Sequence, residues 1–329
     1  MSKLIMPLKN NVVLFVCIGF LNLFGQLDAK ERVKKQVVNR PMSKLEVLEE
    51  QITVLEAQGQ LLREIKNEEG VLKNLLGEIK QEQKTIKENL IKKQNKELWA
   101  IKKGNESTER IVKELKMAAV FANSIINVEW LKNKNFSPSG SAASFSFLYI
   151  LFRALNDCNP RSILEIGIGQ TTKMTSQYIA YKNNEAHLIL VEHNPVWFNI
   201  FKEQIAPSNN IEILMLPLKK TLYKDSETNV YDNLATSVGA TKFDLLIVDG
   251  GEGRGKYTRT SVLDLIPHNL EKSFIIIFDD YNYGGVRRTI QDVRTKLDEA
   301  NIKYGFSIYK GEKQQYVIFS QDLDFLERL

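Results

Sequence analysis

The chain has 329 residues, a net charge of +5 and 43% apolar residues. That length allows one α/β domain plus a further element, and the apolar share supports a packed core. The mild charge gives no argument for nucleic acid. Cys17 and Cys158, with His187, His193 and His268, lack the spacing of a disulfide framework or a zinc site, and so few cysteines fit a reducing compartment.

Residues 1–29 form a hydrophobic N-terminal segment. Val12–Phe24 is almost wholly apolar but shorter than the ~20 residues of a comfortable bilayer span. It reads as a membrane anchor, as the apolar part of a signal peptide with Leu27-x-Ala29 as the cleavage site, or as a buried or interfacial helix. Lys30, Arg32, Lys34 and Lys35 on its far side favour a cytoplasmic location for the rest of the chain, with membrane association through residues 12–24.

Residues 30–106 are a different material, rich in Glu, Lys and Gln. Leu45, Leu48, Ile52, Leu55 and Leu62 follow a three-four spacing. Leu72, Leu76, Ile79, Ile86 and Leu90 follow it again in a shifted register, with the shift near Gly70. Apolar seam positions within a charged surface predict a coiled coil, a spacer or stalk that joins copies into a homo-oligomer.

The remaining residues, 107–329, read as one α/β domain. Residues 107–134 continue as helix, with Ile111, Leu115, Ala118, Ala119, Ala122, Ile125 and Ile126 as the packing stripe and Trp130 packed at its end. Phe136 to Ser141 is a turn-rich break, and Phe145–Leu155 is an apolar helix. A buried strand follows at Ile163–Ile166, broken at once by Gly167 and Gly169, with a helix over Thr172–Tyr181. Further strands are expected at His187–Val191, Ile211–Leu216, Phe243–Val248 and Phe274–Phe278. Trp197 packs under the loop after the second strand, and residues 219–241 read as an aperiodic insertion or lid. A helix over Val286–Ala300 and two closing strands, Lys303–Tyr309 and Gln315–Phe319, complete the domain.

Acids recur where strands end: Glu165, Glu192, Asp249, Asp279 and Asp280. Open α/β sheets bind ligands at those ends, and an acid ~20 residues past a glycine turn is placed for ribose hydroxyls. A nicotinamide-binding turn would put its third glycine where Thr172 stands. Glu165-x-Gly167-x-Gly169 followed by Glu192 resembles instead the class I S-adenosylmethionine-dependent methyltransferases, over about residues 137–322. The resemblance implies a Rossmann-like seven-stranded sheet and S-adenosylmethionine as cofactor. It implies Glu165, Gly167, Gly169, Thr171, Glu192 and His193 as the cofactor-binding residues. Thr171 stands where the family has a third glycine, and Leu216-Pro217-Leu218 where it often has a polar adenine contact.

The glycine-rich run from Asp249 to Arg259 reads as a loop able to close on a substrate, with Arg254 and Arg259 as anion-binding groups. Asp249, Asp279 and Asp280 are the metal-ligand candidates, for Mg²⁺ or another divalent cation. That trio resembles the catechol-type O-methyltransferases, with Asp280 where that family has Asn. The Asp249-Gly250-x-x-Gly253 run is similar to a loop of plant glucuronoxylan methyltransferases, without its proline. These resemblances imply O-methylation of a small hydroxyl compound or a sugar or polysaccharide. Asp249 or Asp280 would be the base, with Lys256, Tyr257 and Arg259 orienting the acceptor. The alternative is a coiled-coil interaction or scaffold protein carrying a degenerate methyltransferase-like domain. An Asn/Asp-Pro-Pro-aromatic motif after the fourth strand and a dense basic patch are both missing, which argues against a nucleic-acid methylase.

Overall fold

A computed structural model describes residues 43–138, 142–251 and 255–328. The apolar segment 12–24 and Arg254 lie outside them. Among the described residues no helix is long and apolar enough to cross a membrane. Contacts divide the chain into two units, Met1–Gln94 and Asn95–Leu329.

Helix α1 spans Lys44–Ser124. Its start is fixed by a reciprocal cap: Glu46 accepts from the Ser43 N–H at 2.8 Å and Ser43 Oγ accepts from the Glu46 N–H at 3.4 Å. In the first unit every seam residue from Leu45 to Leu90 is exposed, so the helix is present and its apolar seam faces solvent.

In the second unit α1 ends ten residues before the expected boundary at 134, and it packs through only part of the expected stripe. Ile125 of that stripe is buried just past the helix end, together with Phe121, whereas Ile111, Leu115 and Ile126 are exposed. Two features turn the helix this way. The Glu114 carboxylate accepts from the N–H groups of Phe145 and Glu312, which fixes that face inward. The chain then leaves the helix so that Trp130 stacks on Phe152 at 6.0 Å and meets Tyr178 edge-on at 5.5 Å. A continuing helix would carry Trp130 away from that core.

The domain proper contains α2 (Phe145–Cys158), β1 (Ser162–Ile166), α3 (Gln170–Lys182), β2 (His187–Glu192), α4 (Pro195–Phe201) and β3 (Ile211–Met215). A hairpin of β4 (Leu218–Tyr223) and β5 (Ser226–Tyr231) follows, then α5 (Leu234–Val238), β6 (Phe243–Val248), β7 (Leu270–Phe278), α6 (Gly284–Glu299), β8 (Tyr304–Lys310) and β9 (Gln314–Ser320). The segment expected to be an aperiodic insertion is therefore a hairpin and a short helix. Neither face of the hairpin is fully covered, so its strands carry no apolar alternation to read.

Seven strands form one sheet in the order β3-β2-β1-β6-β7-β9-β8, with β4 and β5 paired apart from it. β1, β2, β3, β6 and β7 are parallel, and β9 runs antiparallel between β7 and β8. This is a Rossmann-like sheet with an antiparallel strand inserted near one end. One face packs Phe147, Leu151 and Met174 against Ile163, Leu245 and Ile275. The other packs Val286, Ile290 and Val293 against Leu164, Leu246 and Ile276. A sheet covered on both faces needs unbroken apolar strands, which is why Phe243–Val248 and Phe274–Phe278 are apolar nearly throughout.

Parallel register then sets the site. Ile166 lies level with Val191 and Val248, and Val248 with Phe278. The next residues continue the ladder, with Gly167 N–H on Val191 O at 2.8 Å, Asp249 N–H on Ile166 O at 2.9 Å and Asp279 N–H on Val248 O at 3.2 Å. Gly167, Glu192, Asp249 and Asp279 thus share one edge.

Candidate active site

Strand order reverses between β1 and β6, and such switch points open the crevice in which α/β sheets bind ligands. Gly167, with φ +98°, and Gly250 face each other there. A Cβ on Gly167 would stand 2.7 Å from Gly250 Cα and from its nitrogen. Only glycines allow the two turns this approach. Gly169 differs: its φ is −177° and a Cβ there would meet nothing within 4 Å.

Glu165 does not line the crevice. It is fully buried on the central strand, where Thr171 and Thr172 donate to one carboxylate oxygen at 2.6 and 2.8 Å and Thr175 to the other at 2.6 Å. Burial raises its pKa to about 7 against the opposing effect of the three hydroxyls. Thr171 is buried in the same network. The two residues expected to touch a cofactor therefore pin the start of α3 to β1.

Glu192 stands at the expected strand end and clamps the turn. It accepts from the Ile168 N–H at 3.1 Å and from the N–H groups of His193 and Asn194 at 2.8 Å each. The His193 ring lies against it, 3.0 Å from a carboxylate oxygen, and meets Tyr231 edge-on at 5.8 Å. Trp197 packs under the loop as expected, with its indole N–H on the Ile168 carbonyl at 2.5 Å. Tyr231 was not foreseen as a site residue. It is buried at the end of β5 and lies against Gly250, and it reaches the crevice only because β4 and β5 fold back as a hairpin.

On the other side of the switch point, oxygen atoms of Asp249, Asp279 and Asp280 lie within 4.8 Å of one another. Arg259 is buried among them. Its Nη2 donates to Asp249 at 3.1 Å and Asp280 at 2.6 Å, and its Nη1 donates to the carbonyls of Val248, at 3.0 Å, and Asp279. Lys313 Nζ lies 3.4 Å from Asp279 and 3.8 Å from Asp280. Gln315 donates to the other Asp279 oxygen at 2.8 Å and is held by Ser144 and Ser146. Arg259 and Asp280 both adopt left-handed backbone, with φ 62° and 60°, a conformation that non-glycine residues hold only where the surroundings enforce it.

Burial, with Asp279 beside them, holds the Asp249 and Asp280 carboxyls above the usual carboxylate range. Their side chains keep 21% and 20% exposure, while Asp279 has none. Asp249 and Asp280 can therefore meet a ligand and Asp279 cannot.

Lys256 and Tyr257 point elsewhere. Lys256 pairs with Asp225 in the β4–β5 turn, and the Tyr257 ring packs on Tyr223 at 5.1 Å. Successive side chains of an extended loop diverge, so the residues of 256–259 do not share one target. Lys256 and Tyr257 fasten the hairpin; Arg259 turns back into the acids and holds them. Lys313 and Gln315 were also not foreseen. The one available signal was a polar residue, Gln315, opening an otherwise apolar strand.

No family model and no curated protein matches the chain. Solved structures similar to it include the O-methyltransferase TomG from Streptomyces achromogenes, at 14% identity over 65% of this chain and 98% of that one, with a TM-score of 0.41. Another is a putative caffeoyl-CoA O-methyltransferase from Staphylococcus aureus, at 14% identity over 64% and 100%, TM-score 0.40. A third is the precorrin-6y C5,15-methyltransferase of Geobacter metallireducens, at 10% identity over 57% and 94%, TM-score 0.39.

Proposed function

We propose that Asn95–Leu329 is the catalytic unit of an S-adenosylmethionine-dependent O-methyltransferase whose acceptor is a small hydroxyl compound or a sugar or polysaccharide. The observation that carries this reading is the pair of glycine turns at the switch point, flanked by Glu192 on β2 and Asp249 on β6. The two turns pack on each other, and the adjoining Gly169 leaves open space beside them, which supports a cofactor held by backbone there. Gly167, Gly169, Glu192 and His193 would hold it. When bound, the cofactor supplies a methyl group already activated on a sulfonium.

What remains for the protein is to hold an acceptor oxygen and take its proton. Asp249 and Asp280 serve that need: part-exposed at the crevice, and raised in pKa by burial, they bind a proton more readily than ordinary carboxylates. Arg259 keeps them in place. The test is transfer of a labelled methyl group from S-adenosylmethionine by the full chain to a hydroxylated aromatic and to a uronic-acid polysaccharide. Asp249→Asn should retain cofactor binding and lose at least about 10²-fold in turnover. Unchanged turnover would remove Asp249 from the mechanism.

The scaffold reading has its own support. Glu165 is sealed, Glu192 is turned onto backbone N–H groups, and the seam of α1 is exposed along the first unit. We propose a second copy of the chain as the partner for that seam, because its Leu and Ile spacing within a mixed-charge surface is that of a self-pairing helix. Sedimentation should show a dimer or higher oligomer, and Leu76→Glu with Leu90→Glu should shift it towards monomer. A wild-type monomer would remove the stalk proposal. An oligomer that transfers no methyl group to any acceptor would favour the scaffold.

A further inference from the structure

We infer that Arg259 and Lys313 take the place of a divalent cation at the Asp249–Asp279–Asp280 cluster, so that this site works with charge supplied by the chain itself. The inference deepens the proposed reaction by assigning its charge source, and it rests on that reading only for the catalytic use of the site.

The three carboxylates are spaced as a hard cation asks, with ligand oxygens within 4.8 Å. One oxygen of each exposed carboxylate, and both oxygens of the buried one, nevertheless face cationic or amide donors. Each of Asp249 and Asp280 accepts from the Arg259 fork. Asp279 is fully buried, with one oxygen taken by Gln315 at 2.8 Å and the other facing Lys313 at 3.4 Å. The donor set therefore does not fit a divalent ion.

The guanidinium cannot step aside cheaply. Its side chain is 7% exposed, and leaving would break its bonds to two carboxylates and two main-chain carbonyls. Lys313 is likewise anchored, donating to the Ala142 carbonyl at 2.9 Å. Charge points the same way. Three carboxylates against two cations leave the cluster close to neutral, and an added divalent ion would sit beside a buried guanidinium in a low-dielectric site. The left-handed backbone at Arg259 and Asp280 bends the chain to bring these two groups together. Arg259 is thus a positioning residue: it fixes the two exposed carboxylates as a metal would, through one oxygen of each.

The experiment is titration of Mn²⁺ into the full chain, followed by electron paramagnetic resonance, with no S-adenosylmethionine or acceptor present. A silent site is therefore distinguishable from an inactive enzyme. Wild type should bind no Mn²⁺ that Asp249→Asn abolishes, and chelator should leave its unfolding midpoint unchanged. Arg259→Ala should gain Mn²⁺ binding at least tenfold, and Asp249→Asn in that background should remove it. Lys313→Met, which leaves the fork intact, should gain none. Stoichiometric Mn²⁺ binding by wild type, lost in Asp249→Asn, overturns the inference. That wild-type comparison decides the matter even if Arg259→Ala fails to fold. A folded Arg259→Ala that gains nothing overturns the assignment to Arg259.

Discussion

Two acid clusters stand at the same edge of one sheet and are satisfied by opposite means. Glu165 on β1 is surrounded by neutral hydroxyls from α3 and has no exposure. Asp249, Asp279 and Asp280, at the ends of β6 and β7, are held by Arg259 and Lys313, and two of the three reach the surface of the crevice. Hydroxyl donors stabilise a carboxylate without removing the cost of burying its charge, so the first cluster protonates easily and serves the fold. Cationic donors offset part of the charge itself, yet burial and the neighbouring Asp279 still hold Asp249 and Asp280 above the usual carboxylate range, where a ligand can meet them. Acids at strand ends are not equivalent; their partners decide whether they hold structure or do chemistry.

The sharpest break of this contrast is Arg259→Met, which leaves three carboxylates around a missing cation. Removing one partner of a buried ion network should destabilise the chain by about 3–5 kcal/mol, read by urea unfolding at pH 7.5. The loss should shrink at pH 4.5, where Asp249 and Asp280 are protonated more readily. Gly167→Ala should follow, at about 2–4 kcal/mol, because it combines a positive φ with a clash on the Gly250 backbone. Gly169→Ala should change stability far less, having open space and extended backbone.

Glu165→Gln tests the neutral cluster. With a folded-state pKa of about 7, against an ordinary Glu value of about 4.3, the folded chain holds the extra proton between those values. Stability from this group is therefore greatest below the ordinary value, falls as pH rises towards 7 and is level above it. The whole span is roughly 3–4 kcal/mol. Glu165→Gln should flatten that slope, seen as unfolding midpoints compared between pH 4.5 and 8. An unchanged slope would mean Glu165 is not the group responsible. The smallest effect belongs to Lys256→Ala, whose exposed pairing with Asp225 should leave both the unfolding midpoint and methyl transfer unchanged. A large loss of transfer would restore Lys256 as an acceptor-orienting residue.

The strands were legible where both faces of the sheet are covered. β1, β6 and the end of β7 have to be largely apolar runs, and they read as such, interrupted only by Glu165 and Asp244. The β4–β5 hairpin was not legible, because Leu222 is exposed and its neighbours alternate only between half-covered states. The burial stripe of α1 was only partly legible, with Ile125 buried but Ile111, Leu115 and Ile126 exposed, for a related reason. Several apolar faces exist on that helix, and the choice among them depends on Glu114 reaching Phe145 and Glu312, which lie far away in sequence.

The site divides in the same way. Glu192 and Asp249 stand where expected because strand register alone delivers them to one edge. Glu165 read as a ligand contact because it is an acid before a glycine turn, whereas it is wrapped in hydroxyls. Thr171, Thr172 and Thr175, clustered at the start of the following helix, were the signal that it would be wrapped instead. Arg259 was assigned to an acceptor because its neighbours Lys256 and Tyr257 suggested a common target. Its left-handed backbone, which sends it back into the acids, leaves no mark in the sequence.

The central claim is that the crevice at the switch point, beside the contacting Gly167 and Gly250 turns, binds S-adenosylmethionine. The direct measurement is calorimetric titration of S-adenosylmethionine into the full chain, beside Glu192→Gln. The account predicts one site per chain with micromolar affinity, weakened at least about tenfold in a folded Glu192→Gln if that carboxylate holds the ribose hydroxyls as proposed. No heat from a folded wild-type chain, or equal affinity in the two proteins, would contradict it.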